Sequence, residues 1–240
     1  MRLDVALVER GLARSRSQAK ELITTGRVAV DGATATKPAL EVPPDANLGV
    51  TDPERYVSRA ANKLLGALAD TGLEVSGRAL DAGASTGGFT QVLLERGVHQ
   101  VFAVDVGHDQ LDATLREDPR VVVSEGRNVR DLTLDDVAGE SVDLLVGDLS
   151  FISLRLVLPQ LLGVVRPDGR ALLLVKPQFE VGRRGLDGPG VVRDPAAREA
   201  VVDLVAQDAE DLGWRVAWRG PSRLPGPKGN VEFFLLLERA

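Results

Sequence analysis

The chain has 240 residues, enough for a complete α/β core and about 60 residues of a second, smaller module. It contains no cysteine, which excludes a disulfide framework and a cysteine nucleophile, and its two histidines are too few for a zinc site, so we predict no metal. The net charge is −6, and no stretch approaches the roughly 20 apolar residues of a membrane span or the apolar core of a signal peptide, so we expect a soluble, cytoplasmic protein.

The first part of the chain is net positive although the whole chain is acidic. Residues 1–40 contain seven Arg or Lys side chains and four acidic ones. The spacing of apolar residues predicts a short helix over residues 4–10 and a second helix that begins after Ser15 and ends at Gly26. Ser15 and Gln18 form a capping box at the start of this second helix.

A β-hairpin is predicted after the two helices. Val28–Val30 and Ala33–Ala35 flank an Asp31-Gly32 turn, which is the strongest short-range signal for a hairpin. Arg16 and Lys20 are four residues apart and form a basic stripe on the second helix, as is typical of a module that contacts an RNA backbone. Charge alone leaves open the alternative that this is a solvated amphipathic helix.

The segment from residue 2 to residue 34 resembles the S4-like (alpha-L) RNA-binding domain, named for a small-subunit ribosomal protein. The resemblance lies in the Ser-Arg-Ser-Gln-Ala run at residues 15–19 and the Gly-Arg-Val-x-Val-Asp-Gly segment at residues 26–32. It implies a small α+β module that binds structured RNA. The candidate RNA contacts, including one arginine beyond the module, are Arg2, Arg14, Arg16, Lys20, Arg27 and Arg59.

Prolines interrupt residues 38–57, where little periodicity remains, as expected of an edge strand and a linker. We therefore predict an RNA-binding domain with its linker at residues 1–57 and a larger domain at residues 58–240.

Short apolar runs alternate with helical patterns throughout the larger domain. The runs lie at residues 78–80, 101–104, 121–123, 142–146, 171–175 and 231–237. This alternation predicts an α/β, doubly wound (Rossmann-like) parallel sheet with helices on both faces. A Pro/Gly loop without a helix joins the last two predicted strands, near residues 214–218 and at residues 231–237, so we expect an antiparallel terminal strand.

A glycine loop over residues 81–90 follows the first apolar run and precedes a helical pattern. Its glycines let the backbone approach a ligand that any Cβ would exclude. The loop lacks the Gly-x-Gly pair of NAD enzymes and resembles the Gly-x-x-x-Gly loop of S-adenosylmethionine-dependent methyltransferases, which implies that cofactor. The candidate cofactor contacts are Asp81, Gly83, Ser85, Thr86, Gly87, Gly88, Phe89, Asp105, Asn128 and Asp148.

Two of these residues follow later strands. Asp105 stands 22 positions beyond Gly83, where an acid can accept both ribose hydroxyls of a nucleoside; the alternative is a helix N-cap before Gly107-His108-Asp109. Asn128 follows the third strand and is placed to reach an adenine.

Asp148 and Lys176 each follow a predicted strand directly. Ligands of open parallel sheets lie beyond the carboxyl ends of the strands, so both side chains are expected at the same crevice as the glycine loop. An ionisable group beside a buried strand is costly unless it is paired or used, and a structural Asp–Lys pair is the alternative to a catalytic one.

Together with Lys63 and Glu232, these residues resemble the Lys-Asp-Lys-Glu tetrad of FtsJ-like RNA ribose 2′-O-methyltransferases. Matching motifs surround them at residues 147–154, 175–182 and 224–232, and with the basic module the whole chain resembles the TlyA, or hemolysin-A-like, family of rRNA cytidine 2′-O-methyltransferases. The resemblance implies that Lys176 stabilises the developing alkoxide and Asp148 orients it, while Lys63 and Glu232 position the ribose.

The resemblance also implies ribosomal RNA or ribosomal subunits as partners. Members without a long basic N-terminal extension are associated with the large subunit, which we favour over the small subunit. Ala60-Ala61 stand where the family often has two glycines, which favours a continuous helix there. The alternatives are an RNA-binding protein without methyl transfer and a membrane-active, hemolysin-like protein.

Overall fold

The computed structural model describes residues 1–51, 55–182 and 185–240. The chain divides into two compact units, Met1–Arg55 and Tyr56–Ala240. The predicted linker extends to residue 57, and its residues 52–54 lie outside the described residues.

Within residues 1–51, the first unit has two helices and one antiparallel sheet. The helices are α1 (Leu3–Glu9) and α2 (Arg16–Thr24), and the strands are β1 (Val28–Val30), β2 (Ala33–Ala35) and β3 (Leu48–Val50), in the order β2-β1-β3. The Ser15 side chain accepts a hydrogen bond from the Gln18 backbone N–H at 3.3 Å, which confirms the predicted start of α2. The predicted hairpin is also confirmed.

The second unit has a doubly wound sheet covered by helices. Its described strands are β4 (Arg78–Ala82), β5 (Gln100–Asp105), β6 (Val121–Glu125), β7 (Val142–Gly147), β8 (Val165–Val175), β9 (Trp214–Pro221) and β10 (Phe233–Arg239). Its described α-helices are α3 (Ala60–Thr71), α4 (Gly88–Glu95), α5 (Ala113–Arg116), α6 (Leu158–Gly163), α7 (Pro177–Glu180) and α8 (Pro195–Asp211). Because α3 begins at Ala60, the two alanines lie inside a helix, as predicted.

The strand order is β6-β5-β4-β7-β8-β10-β9. Strands β4 to β8 pair in parallel, and β10 pairs antiparallel with both β8 and β9. The predicted antiparallel terminal strand is therefore confirmed. Alternate residues of each strand point to opposite faces, so Leu80 and Ala82 join one buried apolar cluster and Ala79 joins the other.

Strand β8 begins earlier than predicted. The apolar run indicates a strand over residues 171–175, but β8 starts at Val165 and includes the polar segment from Arg166 to Arg170. Most of this segment is exposed, so it carries no apolar signal that would mark it as a strand.

The sheet positions the site through the register of β10. Phe233 pairs with Val175, so the residues beyond this pair, Glu232 and Lys176, leave the sheet at the same edge. The carboxyl ends of β4, β5 and β7 reach that edge as well, since they run parallel to β8.

Across the described ranges, no helix combines the length and the apolar character needed to cross a membrane.

Candidate active site

The four residues of the predicted tetrad lie together in a connected charge network. Lys63 Nζ donates a hydrogen bond to Glu232 Oε2 at 2.6 Å and lies 3.7 Å from Asp148 Oδ2. The other oxygen of Asp148, Oδ1, lies 2.6 Å from Lys176 Nζ. Two ammonium groups therefore alternate with two carboxylates, and Asp148 lies between the lysines.

The network is largely removed from solvent. Glu232 is 1% exposed, Lys63 4% and Lys176 8%, whereas the Asp148 side chain is 13% exposed. Charges buried to this degree are tolerated only when they are paired, and here each has a partner of opposite sign. The two side chains that spacing alone could not place, Lys63 and Glu232, are joined across 169 residues of sequence.

Two neutral residues complete the network. Lys176 Nζ donates to the Ser150 hydroxyl oxygen at 2.7 Å, and the Gln178 side-chain amide donates to Glu232 Oε1 at 3.0 Å. Each oxygen of the Glu232 carboxylate therefore has its own donor. The sequence alone predicts no role for Ser150 or Gln178, although both stand within two residues of a tetrad member.

Gly226 lets the Pro/Gly loop approach this carboxylate. A Cβ at Gly226 would lie 2.6 Å from Glu232 Oε1, so a larger residue would displace the carboxylate from Lys63 and Gln178. Glycine is required at this position because the backbone of the loop lies so close to the Glu232 carboxylate.

Two cavities meet at the network. The first has a volume of about 480 Å³ and is lined by all four tetrad residues together with Ser58, Arg59, Thr86, Gly88, Phe89, Phe179 and Lys228, among others. The second has a volume of about 570 Å³ and is lined by Asp105, Gln110, Arg127, Asn128 and Ile152, among others. They share a wall formed by Gly83, Ser85, Asp148, Ser150 and Phe151.

The glycine loop is built as its sequence predicts, with a left-handed backbone at two of its glycines. Gly83 has a φ of +83°, and a Cβ there would lie 3.1 Å from the Asp148 carbonyl oxygen. Gly87 has a φ of +95°, and a Cβ there would lie 2.4 Å from Leu115. The missing side chain at Gly83 therefore lets the loop lie close to the Asp148 backbone in the shared wall. Gly87 lines neither cavity, and its missing side chain lets the loop pack against Leu115.

Asp105 and Asn128 face the same cavity, as the prediction requires. Asp105 Oδ2 accepts a hydrogen bond from the Ser85 backbone N–H at 2.9 Å, and Oδ1 accepts one from Gly107 at 2.7 Å. Asp105 thus caps a turn at Gly107, although no helix begins there, and each oxygen keeps a further lone pair for a ligand. Asn128 Oδ1 accepts from the Arg130 backbone N–H at 3.0 Å, which leaves its amide nitrogen available as a donor.

Asp81 lies beneath the glycine loop and lines neither cavity. It is completely buried, and the Thr90 hydroxyl donates to its Oδ2 at 2.7 Å. Burial raises the pKa of the Asp81 carboxyl to about 7, against the opposing effect of its hydrogen bonds from Thr90. The nearby carboxylates of Asp148 and Asp105 raise this pKa further.

This raised pKa gives a testable pH dependence. The folded protein keeps a proton on Asp81 up to about pH 7, whereas the unfolded chain releases it near the ordinary aspartate pKa of 3.8, so wild-type stability falls as pH rises through this interval. Asp81→Asn removes the titration and keeps an acceptor for Thr90. We expect a flatter dependence of the unfolding free energy on pH, measured by urea unfolding at several pH values. Equal slopes in the two proteins would contradict this expectation, and exposed Asp135→Asn is the control.

Phe151 is an exposed apolar residue for which the sequence predicts no role in the site. It is 92% exposed on the shared wall, has a φ of +65° and lies 5.4 Å from Phe179, measured between ring centroids. A left-handed backbone is rare and strained for an aromatic residue, and such strain is concentrated at functional sites. An aromatic residue next to Ile152 resembles a core residue in sequence, so only its backbone conformation reveals its exposure.

Two of the predicted RNA contacts of the first unit, Arg2 and Arg16, pair with the buried Asp4. Asp4 Oδ1 accepts from Arg2 Nε at 2.9 Å, and Asp4 Oδ2 lies 3.1 Å from an Arg16 nitrogen. The hydrogen bond from Arg2, joined by that from Arg16, holds the pKa of the Asp4 carboxyl well below its usual range. Lys20 is exposed on the same helix, α2. The remaining two predicted contacts of this unit are Arg14, which is exposed, and Arg27, which is half-buried.

Two family models match the chain. The model of FtsJ-like methyltransferases matches residues 56–239, and the model of the S4 domain matches residues 1–48. The matched segments correspond to the second and the first structural unit.

Three similar proteins cover most or all of the chain. A 16S/23S rRNA (cytidine-2′-O)-methyltransferase, TlyA, from Mycobacterium tuberculosis is 55% identical over 98% of this chain and 89% of its own length. A 23S rRNA (cytidine-2′-O)-methyltransferase, TlyA, from Campylobacter jejuni is 38% identical over 75% of this chain and 70% of its own length. A solved structure of a protein described as a hemolysin, from Streptococcus thermophilus, is 39% identical with a TM-score of 0.80 and covers 100% of this chain and 88% of that one. The chain is a methyltransferase and belongs to the TlyA family of FtsJ-like methyltransferases.

Proposed function

We propose that this methyltransferase transfers a methyl group from S-adenosylmethionine to the ribose 2′-hydroxyl of a cytidine in ribosomal RNA. The observation that carries the proposal is the buried network of Lys63, Asp148, Lys176 and Glu232 at the wall between two cavities. A cavity on each side of one charged wall suits a reaction between two ligands.

The second cavity fits the nucleoside part of S-adenosylmethionine. Asp105 offers carboxylate lone pairs for ribose hydroxyls, and Asn128 offers an amide donor for a purine ring. Gly83 and Ser85 line both cavities, so a ligand can extend from one to the other past the glycine loop. S-adenosylmethionine, when bound, supplies a methyl group on a sulfonium centre, which is already activated for transfer.

Lys176 is the residue that favours attack by the ribose oxygen. A 2′-hydroxyl is a weak nucleophile at neutral pH, so the site must stabilise negative charge on its oxygen and hold that oxygen in line. An ammonium group has three hydrogens, and Asp148 and Ser150 lie close enough to engage two of them. The third hydrogen is left for the ribose oxygen, where it stabilises the alkoxide that develops as the hydroxyl proton is released to solvent and the oxygen takes up the methyl group.

Lys63 and Glu232 keep this arrangement fixed. Their short ion pair, with Gln178 on the second Glu232 oxygen, anchors the side of the network farther from Lys176. Lys63 also lies 3.7 Å from Asp148, so its positive charge helps to hold Asp148 beside Lys176.

The first cavity has features that suit an RNA strand. The exposed ring of Phe151, supported by Phe179, offers an aromatic surface for an unstacked base. Arg59 and Lys228 are exposed on the same cavity and can contact phosphates. A ribose inside a folded RNA must leave its stack to reach Lys176, and an aromatic contact offsets part of that cost.

Ribosomal RNA is the proposed substrate because the two TlyA relatives named above are described as rRNA (cytidine-2′-O)-methyltransferases. The S4 domain, with basic side chains on α2, supports an RNA substrate. We propose that the protein acts in the cytoplasm, where ribosomal subunits are found. A preference for the large subunit stays a prediction, since the Mycobacterium tuberculosis relative is described for both rRNAs.

The test is methyl transfer from labelled S-adenosylmethionine to separated ribosomal subunits and to free rRNA. Primer extension at low nucleotide concentration then maps 2′-O-methylation. We expect label at a cytidine, with more in the large subunit than in the small one. Label in no RNA would refute the proposal, and lysis of erythrocytes in its place would favour the membrane-active alternative.

A further inference from the structure

Glu180 closes the one-turn helix α7, four residues after Lys176, and its carboxylate reaches the loop that follows β7. The Ser153 hydroxyl donates to Glu180 Oε2 at 2.5 Å, and the Leu154 backbone N–H donates to Oε1 at 2.8 Å. Both carboxylate oxygens are therefore engaged by one loop.

That loop, residues 148–154, carries three groups of the shared wall. Asp148 and Ser150 contact the Lys176 ammonium, and Phe151 presents its exposed ring. The φ of +65° at Phe151 is strained for a bulky side chain, so the loop holds this shape only if its surroundings fix it.

The segment from Lys176 to Glu180 fixes the loop at both ends. Lys176 holds the beginning, through Asp148 and Ser150, and Glu180 holds the end, through Ser153 and Leu154.

We propose that Glu180 is a positioning residue for methyl transfer, which fixes loop 148–154 against α7 and thereby sets the geometry of Asp148, Ser150 and Lys176. The inference rests on the proposed function, because it assigns the chemistry to Lys176.

The surroundings of Glu180 favour this role over a simple surface contact. Burial raises the pKa of the Glu180 carboxyl, so the ionised form is unfavourable here unless its hydrogen bonds offset the loss of hydration. Arg155, whose positive charge lowers the pKa of Glu180, hydrogen-bonds instead to Asp208, with its Nε 2.6 Å from Oδ2. The hydrogen-bond donors of Glu180 are thus neutral groups of the loop, and their geometry depends on the shape of that loop.

The first measurement compares Glu180→Ala, Glu180→Gln and the wild type in methyl transfer to the ribosomal RNA that the subunit assay labels. We expect Glu180→Ala to lower kcat by about 10–100-fold, since misplacement of catalytic groups by about 1 Å costs that much. Kd for S-adenosylmethionine is expected to change by less than about threefold, because Asp105 and Asn128 lie outside loop 148–154. Glu180→Gln is expected to restore most of kcat, because its amide can accept from Leu154 and donate to Ser153.

The second measurement needs no RNA. Chymotrypsin cleaves after exposed aromatic residues, and cleavage after Phe151 requires local opening of the loop. We expect cleavage at this bond, identified by mass spectrometry, to be about tenfold faster in Glu180→Ala and near the wild-type rate in Glu180→Gln. Asp208→Ala is the matched control, since it removes a neighbouring carboxylate and leaves both bonds of Glu180 in place.

The outcomes separate this inference from the proposed function. A kcat of Glu180→Ala within about threefold of the wild type would overturn the positioning role. So would a loss of activity that Glu180→Gln does not restore, accompanied by weaker cofactor binding, because that result indicates damage to the fold. If the wild type methylates no RNA, the proposed function fails, and proteolysis still tests the fixing of the loop. Equal cleavage rates after Phe151 in the wild type and in Glu180→Ala would refute that fixing as well.

Discussion

Lys176→Ala is expected to reduce methyl transfer to rRNA by about 10³-fold, while binding of S-adenosylmethionine persists. The loss follows from the position of the Lys176 ammonium, which Asp148 and Ser150 hold at the wall between the cavities. Without it, the ribose oxygen loses the ammonium group that the proposed mechanism places beside it. Two of the predicted donor contacts, Asp105 and Asn128, lie in the second cavity, which Lys176 does not line. Single-turnover transfer of labelled methyl and calorimetric donor binding measure the two effects.

Arg170→Ala is the matched control for this variant. Arg170 lies in the middle of β8, the strand that Lys176 follows, and pairs with Glu238 at 2.9 Å. Its loss is expected to leave transfer unchanged. Transfer by Lys176→Ala at the wild-type rate would refute the chemical role, and loss of donor binding together with transfer would show that Lys176 is structural.

A second large effect is expected from the Lys63–Glu232 pair. Glu232→Leu leaves Lys63 buried, with Asp148 at 3.7 Å as its remaining partner, and is expected to lower the unfolding free energy by about 3–5 kcal/mol. Lys63→Met is expected to cost a similar amount. The double variant replaces both charges with apolar groups and is expected to recover most of this stability, yet to remain inactive because the ribose is no longer positioned. Urea unfolding and methyl transfer, measured on all three variants, test both statements.

Asp70 and Arg223 provide the matched control for this cycle. They also form an ion pair between α3 and the segment before β10, but their side chains are 29% and 60% exposed. Exposed pairs contribute about 1 kcal/mol or less, so a double-mutant cycle on Asp70 and Arg223 should give a small coupling free energy between them. A coupling equally small for Lys63 and Glu232 would contradict the importance of their burial, and an active double variant would contradict their role in the reaction.

Much of the fold was predictable from the sequence because its signals are local. The Ser15 cap, the Asp31-Gly32 turn and the apolar runs of the parallel strands depend on residues close together in the chain. The exposed segment from Arg166 to Asp168 in β8 carries no such signal, because its side chains are not buried, and the pairing of β8 with β7 is irregular there.

The site was predictable in part, for a geometric reason. Asp148 and Lys176 follow strands that end at one edge of the sheet, so their proximity follows from parallel pairing. Lys63 and Glu232 meet because β10 lies antiparallel to β8, and spacing does not determine which strands become neighbours. Glu180 acts through loop 148–154, and the sequence does not reveal which polar residues a loop will contact.

The place of β10 in the sheet has a consequence for the order in which the enzyme matures. This strand comes last among the described strands, yet it inserts between β8 and β9 and brings Glu232 to a lysine 169 residues earlier. Contacts between such distant segments form late, because closing a long stretch of chain is entropically costly. During refolding, parallel pairing of β4 to β8 should therefore precede catalytic competence, and the onset of activity reports the docking of the final strand.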